Sequence, residues 1–267
     1  MKYILIIGAK SDIAKEVARV YAKNGYNLYL ASRQSEDLKD LANDIKIRSN
    51  VEVVLKEFDI SKFETHSDFY NSLEPKPFGV IVAAGYMAEQ KECENDFTKT
   101  LNTINVNFTG AVSILNIISN DMEKSKNGFI VGVSSVAGDR GRKANYIYGS
   151  SKAAFSAYLS GLRNRLFESK VQVLTVKPGF VATKMTAGLD LPAKLTAQPE
   201  EVAKDIFVAQ QKGKDVLYTK GIWRLIMLII KHIPEFIFKK LSIWVGKSYF
   251  LISTELSQQM IPFKVYS

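Results

Sequence analysis

The chain is expected to fold as an α/β protein with a doubly wound, seven-stranded parallel sheet. Three observations predict this. Short apolar runs recur along residues 1–220, longer amphipathic runs separate them, and the residues with chemical character fall just after the apolar runs. Apolar strands alternating with helices imply a parallel sheet covered on both faces. Right-handed crossovers then wind the helices onto the two sides, and ligands bind at the carboxyl ends of the strands.

The elements follow in order. Lys2–Ile7 is apolar from Tyr3 on, too short for the core of a signal peptide, and reads as a buried strand. Asp12–Asn24 is an amphipathic helix, and strand Asn27–Ala31 follows. Helix Ser35–Ser49 leads to strand Val51–Glu57, and helix Lys62–Leu73 to strand Gly79–Ala83. A long helix over Phe97–Glu123 precedes strand Gly128–Ser134, and a second over Tyr146–Lys170 precedes strand Val171–Lys177. Helix Glu200–Gln211 and strand Asp215–Tyr218 complete the alternation. No linker-like composition interrupts residues 1–220, which read as one domain, with 221–267 as an extension.

Composition narrows the function classes. The 267 residues are 46% hydrophobic and 24% charged, which excludes disorder and fibrous repeats. Cys93 is the only cysteine, so no internal disulfide forms, in keeping with a reducing compartment. The two histidines, His66 and His232, are far apart, which argues against a zinc site or a serine–histidine triad, and no metal is expected. The net charge is +9. Residues 221–267 carry six Lys/Arg against two Glu, net +4, so nearly half of the excess sits in under a fifth of the chain.

The loop after the first strand reads "IIGAKSDIAKEVA". Gly8 permits a tight turn, and backbone amides at the following helix start, around Lys10, Ser11, Asp12 and Ile13, can hold a pyrophosphate. Ser11 or Asp12 can also cap that helix, and Asp12 and Ala14 stand where further glycines are usual. The second strand ends in Ser32 and Arg33, where an acid would grip the ribose of NAD. Arg33 with Lys10 suits a 2′-phosphate and points to NADPH/NADP over NAD, unless Arg33 is simply a solvated loop charge. Asp59, followed by Ile60, either accepts from an adenine amino group or caps a helix. Ala83, Ala84 and Gly85 leave room for a flat ring or a ribose.

Tyr148 and Lys152 lie at i and i+4 and share a helix face. A nearby ammonium favours the phenolate and is expected to lower the phenol pKa. Gly149, Ser150 and Ser151 between them are small enough for a cofactor to lie close to the helix. Ser135, thirteen residues before Tyr148, can hold a substrate oxygen in the same space. Asn107 can orient Lys152 through a water. Together these residues read as a proton-transfer site rather than a surface pair on an amphipathic helix.

The segments "GAKSDIA", "VAAG", "NFTG", "VSSVAG", "YGSSK" and "KPGFVAT" resemble, in order and spacing, the short-chain dehydrogenase/reductase family over residues 1–220. The resemblance implies a Rossmann-type sheet and assigns Tyr148 as general acid/base, Ser135 as carbonyl binder and Lys152 as the group holding the nicotinamide ribose. Asn107 completes the relay. Pro178, Gly179, Phe180 and Val181 would line the nicotinamide, and Thr183 its carboxamide or the pyrophosphate. Ala83 departs from the family's asparagine.

The extension reads "GIWRLIMLIIKHIPEFIFKKLSIWVGK". From Ile222 to Val245, 16 of 24 residues are apolar, yet the longest unbroken run is far below the ~20 residues that span a bilayer. On a helical wheel Arg224, Lys231, His232, Glu235, Lys239 and Ser242 form one stripe, with a break expected at Pro234. With Trp223 and Trp244 near its ends, the segment reads as an amphipathic helical extension lying in a membrane interface. A subunit interface or a lid are the alternatives. Basic charge beside an apolar face suits lipid better than nucleic acid.

"VAGDRGRKANYIYGSSKA", "KPGFVATKMTAGL" and the extension together resemble the reductases of decaprenylphosphoryl-2-keto-ribose within the family. This implies a lipid-linked 2-keto pentofuranose as substrate, a flavin-dependent oxidase as partner, and a cytoplasmic place on the inner face of the membrane. Arg140, Arg142 and Lys143 can hold the substrate phosphate or be loop charges. Many relatives pair through the two long helices, so a homodimer or homotetramer is expected.

Overall fold

In this computed structural model, the structure describes residues 2–246, 249–254 and 261–263. Seven parallel strands form the sheet: β1 Tyr3–Ile7, β2 Asn27–Ser32, β3 Val53–Glu57, β4 Gly79–Val82, β5 Phe129–Val133, β6 Gln172–Lys177 and β7 Val216–Tyr218. Their order is β3-β2-β1-β4-β5-β6-β7, the expected doubly wound arrangement. Every residue of β1 is buried, and its side chains alternate. Helices α1 Asp12–Lys23, α2 Lys39–Ser49, α3 His66–Asn71, α4 Gln90–Asn95, α5 Phe97–Ile104, α6 Gly110–Ser125, α7 Tyr146–Leu166 and α8 Pro199–Gln211 accompany the strands, and Ile4 and Ile6 pack with α1 and α8, through Val17, Tyr21, Val202 and Ile206. Leu5 and Ile7 face the opposite core, built on Ile114 and Leu115 of α6 Gly110–Ser125 and on Phe155 and Leu159 of α7 Tyr146–Leu166.

The strands running off β1 diverge, β2 to one side and β4 to the other, which opens a crevice at their carboxyl ends. Gly8 sits there with φ +80°, and a Cβ on it would lie 2.5 Å from the Ala84 nitrogen. Only glycine satisfies both the left-handed turn and that approach.

Several boundaries differ from the sequence expectation. Ser35–Leu38 is a separate 3₁₀ turn, because Glu57 at the end of β3 accepts from the Gln34 and Ser35 amides. The expected helix Lys62–Leu73 is a 3₁₀ turn followed by His66–Asn71. The long helix Phe97–Glu123 is interrupted by a π-turn at Asn105–Thr109. The run Phe97–Ser125 is long and apolar enough to cross a membrane, but Ile114, Leu115, Ile118 and Met122 pack in the sheet core.

The extension is helical only to Phe238. It forms helices Ile222–His232 (α9) and Glu235–Phe238, which Pro234 separates. Leu241–Gly246, Tyr249–Thr254 and Ile261–Phe263 then form a three-stranded antiparallel sheet, so a single wheel to Val245 does not apply. Trp223 is not an interfacial anchor. With Met227 and Ile230, at helical spacing on one face, it is buried against Val136 and Leu195. The side chains of Ser242 and Trp244 lie outside what the structure describes.

Candidate active site

A cavity of about 850 Å³ lies over the carboxyl ends of β1, β2, β4, β5 and β6. Every residue expected at the cofactor or the chemistry, Asn107 excepted, lines it. Ser11 caps α1 by accepting from the Ala14 amide, and Asp12 accepts from the Lys184 amide at 2.8 Å, tying the first helix to the loop after β6. Asp59 is engaged in a local turn with the Ser61 amide. Thr183 pairs with Thr186 across a short helical turn.

At the β2 end, the buried Ser32 hydroxyl has no partner among the described residues, and Arg33 is exposed. Lys10 is less available than its position suggested, since it pairs with Asp37 at 2.5 Å and with Gln34. The Gly8 turn and the orphaned Ser32 hydroxyl, with Arg33 lining the same end, fit a nicotinamide dinucleotide.

Four groups converge at the other end. Ser135 ends β5 and accepts from the Ala137 amide. The turn it begins is pressed onto α7: a Cβ on Gly149 would lie 2.8 Å from the Ala137 carbonyl oxygen. Gly149 therefore admits this backbone rather than a cofactor. Ser151 is likewise committed, donating to the Tyr148 carbonyl and accepting from Asn107.

Asn107 is buried in the π-turn, a backbone irregularity frequent at functional sites. Its side chain accepts from the Tyr86 amide at 2.9 Å and donates to the Tyr86 carbonyl at 2.8 Å. It makes no direct bond to Lys152. It fixes the turn after β4, where a methyl on Gly85 would sit 3.6 Å from both the Asn107 Oδ1 and the Lys152 Nζ.

Lys152 is 3% exposed, donates to the Val133 carbonyl at 3.2 Å, and lies 5.8 Å from the Tyr148 ring centre. Burial holds its pKa down to about 8. Burial also pushes the Tyr148 phenol up to about 12, against an opposing pull from the Ser135 hydroxyl. The expected lowering of the phenol by the ammonium is therefore reversed, because burial penalises the charged form of both groups. A phenol held neutral near neutral pH is in the right form to donate a proton. A phenolate formed there can be stabilised by the Lys152 ammonium and the Ser135 hydroxyl, and that hydroxyl can also hold a substrate oxygen.

Comparison with known proteins agrees with this geometry. The family model described as short chain dehydrogenase matches residues 2–193. The chain belongs to the short-chain dehydrogenase family. This short-chain dehydrogenase is 33% identical over 241 residues to an uncharacterized oxidoreductase of Mycobacterium tuberculosis strain CDC 1551, covering 89% of this chain and 96% of the relative. An uncharacterized oxidoreductase of Streptomyces coelicolor is 31% identical over 244 residues, covering 89% and 95%. The solved short-chain dehydrogenase of Sphingobium yanoikuyae in complex with NADPH shares the fold, with TM-score 0.77 at 22% identity over 88% of this chain and 97% of that one. The enzyme is thus an NAD(P)-dependent short-chain oxidoreductase. A dinucleotide held in the cleft supplies or accepts the hydride.

Two groups of residues were not expected in the cleft from the sequence. Trp223 packs its indole on the Gly179 backbone, meets Phe180 edge-on at 5.0 Å and donates to the Leu195 carbonyl. Met185 and Leu189 line the mouth and are 45% and 55% exposed. Trp223 had a signal in its spacing with Met227 and Ile230. Of the three cations near Tyr148, Arg140 is occupied: it donates to the Ile230, Lys231 and Ile233 carbonyls, pairs with Glu235 and stacks on Phe238. Lys143 is exposed and does not line the cleft, whereas Arg142 does.

Proposed function

We propose that this enzyme is an NADPH-dependent ketoreductase acting at a membrane surface on a ketone carried by a lipid phosphate. The substrate that the sequence resemblance suggests is the 2-keto group of a polyprenyl-phosphate-linked pentofuranose, the second step of a ribose-to-arabinose epimerisation. A flavin-dependent oxidase is the class of enzyme that would supply that ketone. The observation carrying the membrane reading is α9. Its buried face, Trp223, Met227 and Ile230, packs in a core cluster from which Trp223 reaches the cleft, and its opposite face exposes Leu225, Leu228 and Ile229 at 56–59% beside Arg224 and Lys231. Phe236 and Ile237 continue the apolar surface, with Lys239 next to them. Exposed aliphatic side chains flanked by cations suit the interface of an anionic bilayer on the cytoplasmic side.

Removing the extension is a poor test, since it would also remove Trp223 from beneath Gly179. The full chain carrying Leu225→Ser, Leu228→Ser and Ile229→Ser is expected to lose co-sedimentation with phosphatidylglycerol vesicles while still reducing a soluble ketone. Retained sedimentation would refute the membrane reading. On substrate, kcat/KM for the prenyl-phosphate-linked keto sugar should exceed that for a phosphate-free ketone by about a hundredfold. Equal values would favour a soluble or unrelated lipid ketone.

The cofactor preference rests on Arg33 and Ser32, and the NADPH complex of the Sphingobium yanoikuyae neighbour is in keeping with it. Arg33→Ala should weaken NADPH about tenfold and leave NADH within about twofold, as titrations of the purified protein would read. Equal loss for both cofactors would place Arg33 elsewhere.

A further inference from the structure

Arg142 forms no ion pair among the described residues. It lines the cleft, its Nε has no accessible surface, and among the described residues that nitrogen meets no acceptor. The carboxylate that acts on it, Asp139, is already committed to Lys177 at 2.5 Å and to the Tyr218 hydroxyl at 2.7 Å. Burial accordingly holds the Arg142 pKa below its ordinary value. An Arg142 whose Nε is shut from water with no acceptor, and whose half-buried side chain lines the cleft, is completed by a ligand that brings an anion.

Its position says which ligand. Arg142 lies between β5 and α7, and its carbonyl accepts from the Asn145 amide at the start of the helix bearing Tyr148. Asn145 lines the same wall, and its side chain caps nothing. The positive end of a 21-residue helix adds to the field there. The Ser32 and Arg33 end follows β2, three strands from β5, or about 14 Å at the usual strand spacing. The 2′-phosphate of a dinucleotide and the Arg142 guanidinium therefore occupy different ends of the cleft.

We propose that Arg142, with Asn145 beside it, is the substrate-anion site of this enzyme and takes a phosphate group attached to the ketone-bearing molecule. The inference rests on the ketoreductase reading of the cleft, and not on which sugar or lipid the phosphate joins. A guanidinium presents two parallel donors to such a group, whereas Arg140, closed onto the end of α9, presents none.

The test uses full-length enzyme saturated with NADPH and titrated calorimetrically with farnesyl phosphate and with inorganic phosphate. Wild type is expected to bind farnesyl phosphate, and Arg142→Gln to bind it at least about tenfold more weakly. Arg142→Lys should recover most of the affinity, and both variants should hold NADPH and NADH within about twofold of wild type. Arg142-dependent binding of both probes with equal affinity supports the anion site while counting against the lipid part of the substrate reading. The proposal is overturned if wild type binds neither probe, if Arg142→Gln binds farnesyl phosphate as wild type does, or if the loss falls on NADPH alone.

Discussion

Tyr148→Phe is expected to lower ketone reduction by about three orders of magnitude, the range for removing a positioned acid. The phenol faces the Ser135 hydroxyl, and Lys152, 5.8 Å from its ring, can stabilise the phenolate. Phenylalanine keeps the ring packing and removes the proton. NADPH affinity, read by fluorescence titration, should stay within about twofold, since the Gly8 turn and the Ser32–Arg33 end are untouched. A variant retaining a tenth or more of wild-type turnover would show that the proton comes from another group or from water.

Lys152→Met is expected to separate stability from activity. Lysine has an ordinary pKa near 10.5, and in the folded chain it is about 8. Between those values the unfolded chain binds more protons than the folded one, so this residue's contribution to stability rises with pH across that window. Below about pH 8 the folded chain carries the full penalty of a buried ammonium, on the order of 3 kcal/mol for a shift of this size. Methionine fills similar volume without charge. At neutral pH the variant should therefore melt higher than wild type, by a margin that shrinks toward pH 10.5, while turnover drops at least a hundredfold because the phenolate loses its neighbouring positive charge. A variant that melts lower at neutral pH would show that the bond to the Val133 carbonyl matters more than the burial penalty.

The strand–helix alternation, the doubly wound parallel sheet and the convergence of Ser135, Tyr148 and Lys152 were legible because they depend on local periodicity and on the rule that parallel sheets bind ligands at one edge. The spacing of Tyr148 and Lys152 alone puts them on one face of α7. What failed to read was whatever tertiary packing decides. Gly149 looked like room for a cofactor and is room for the Ala137 backbone. Asn107 sits in a π-turn with no sequence signature, and its amide is spent on Tyr86. Arg140 and Arg142 are two residues apart in one loop, yet the first closes the end of α9 and the second faces the cleft. Trp223 satisfied the pattern of an interfacial anchor and of a core residue equally, and only the Gly179 surface decided between them. The pKa direction of Tyr148 was misjudged for the same reason: spacing reveals the neighbouring charge but not the burial that outweighs it.

A neutral Tyr148 and a protonated Lys152 are expected to carry out ketone reduction together. The pH dependence of kcat/KM, followed by NADPH consumption with one ketone, tests it most directly. With the phenol near 12 and the ammonium near 8, the profile should be level from about pH 6 to about pH 7.5 and fall above about pH 8 as Lys152 loses its proton, and the residual rate of Lys152→Met should lack that fall. A wild-type rate that climbs from about pH 8 to about pH 10, as a reaction needing the phenolate would, contradicts it.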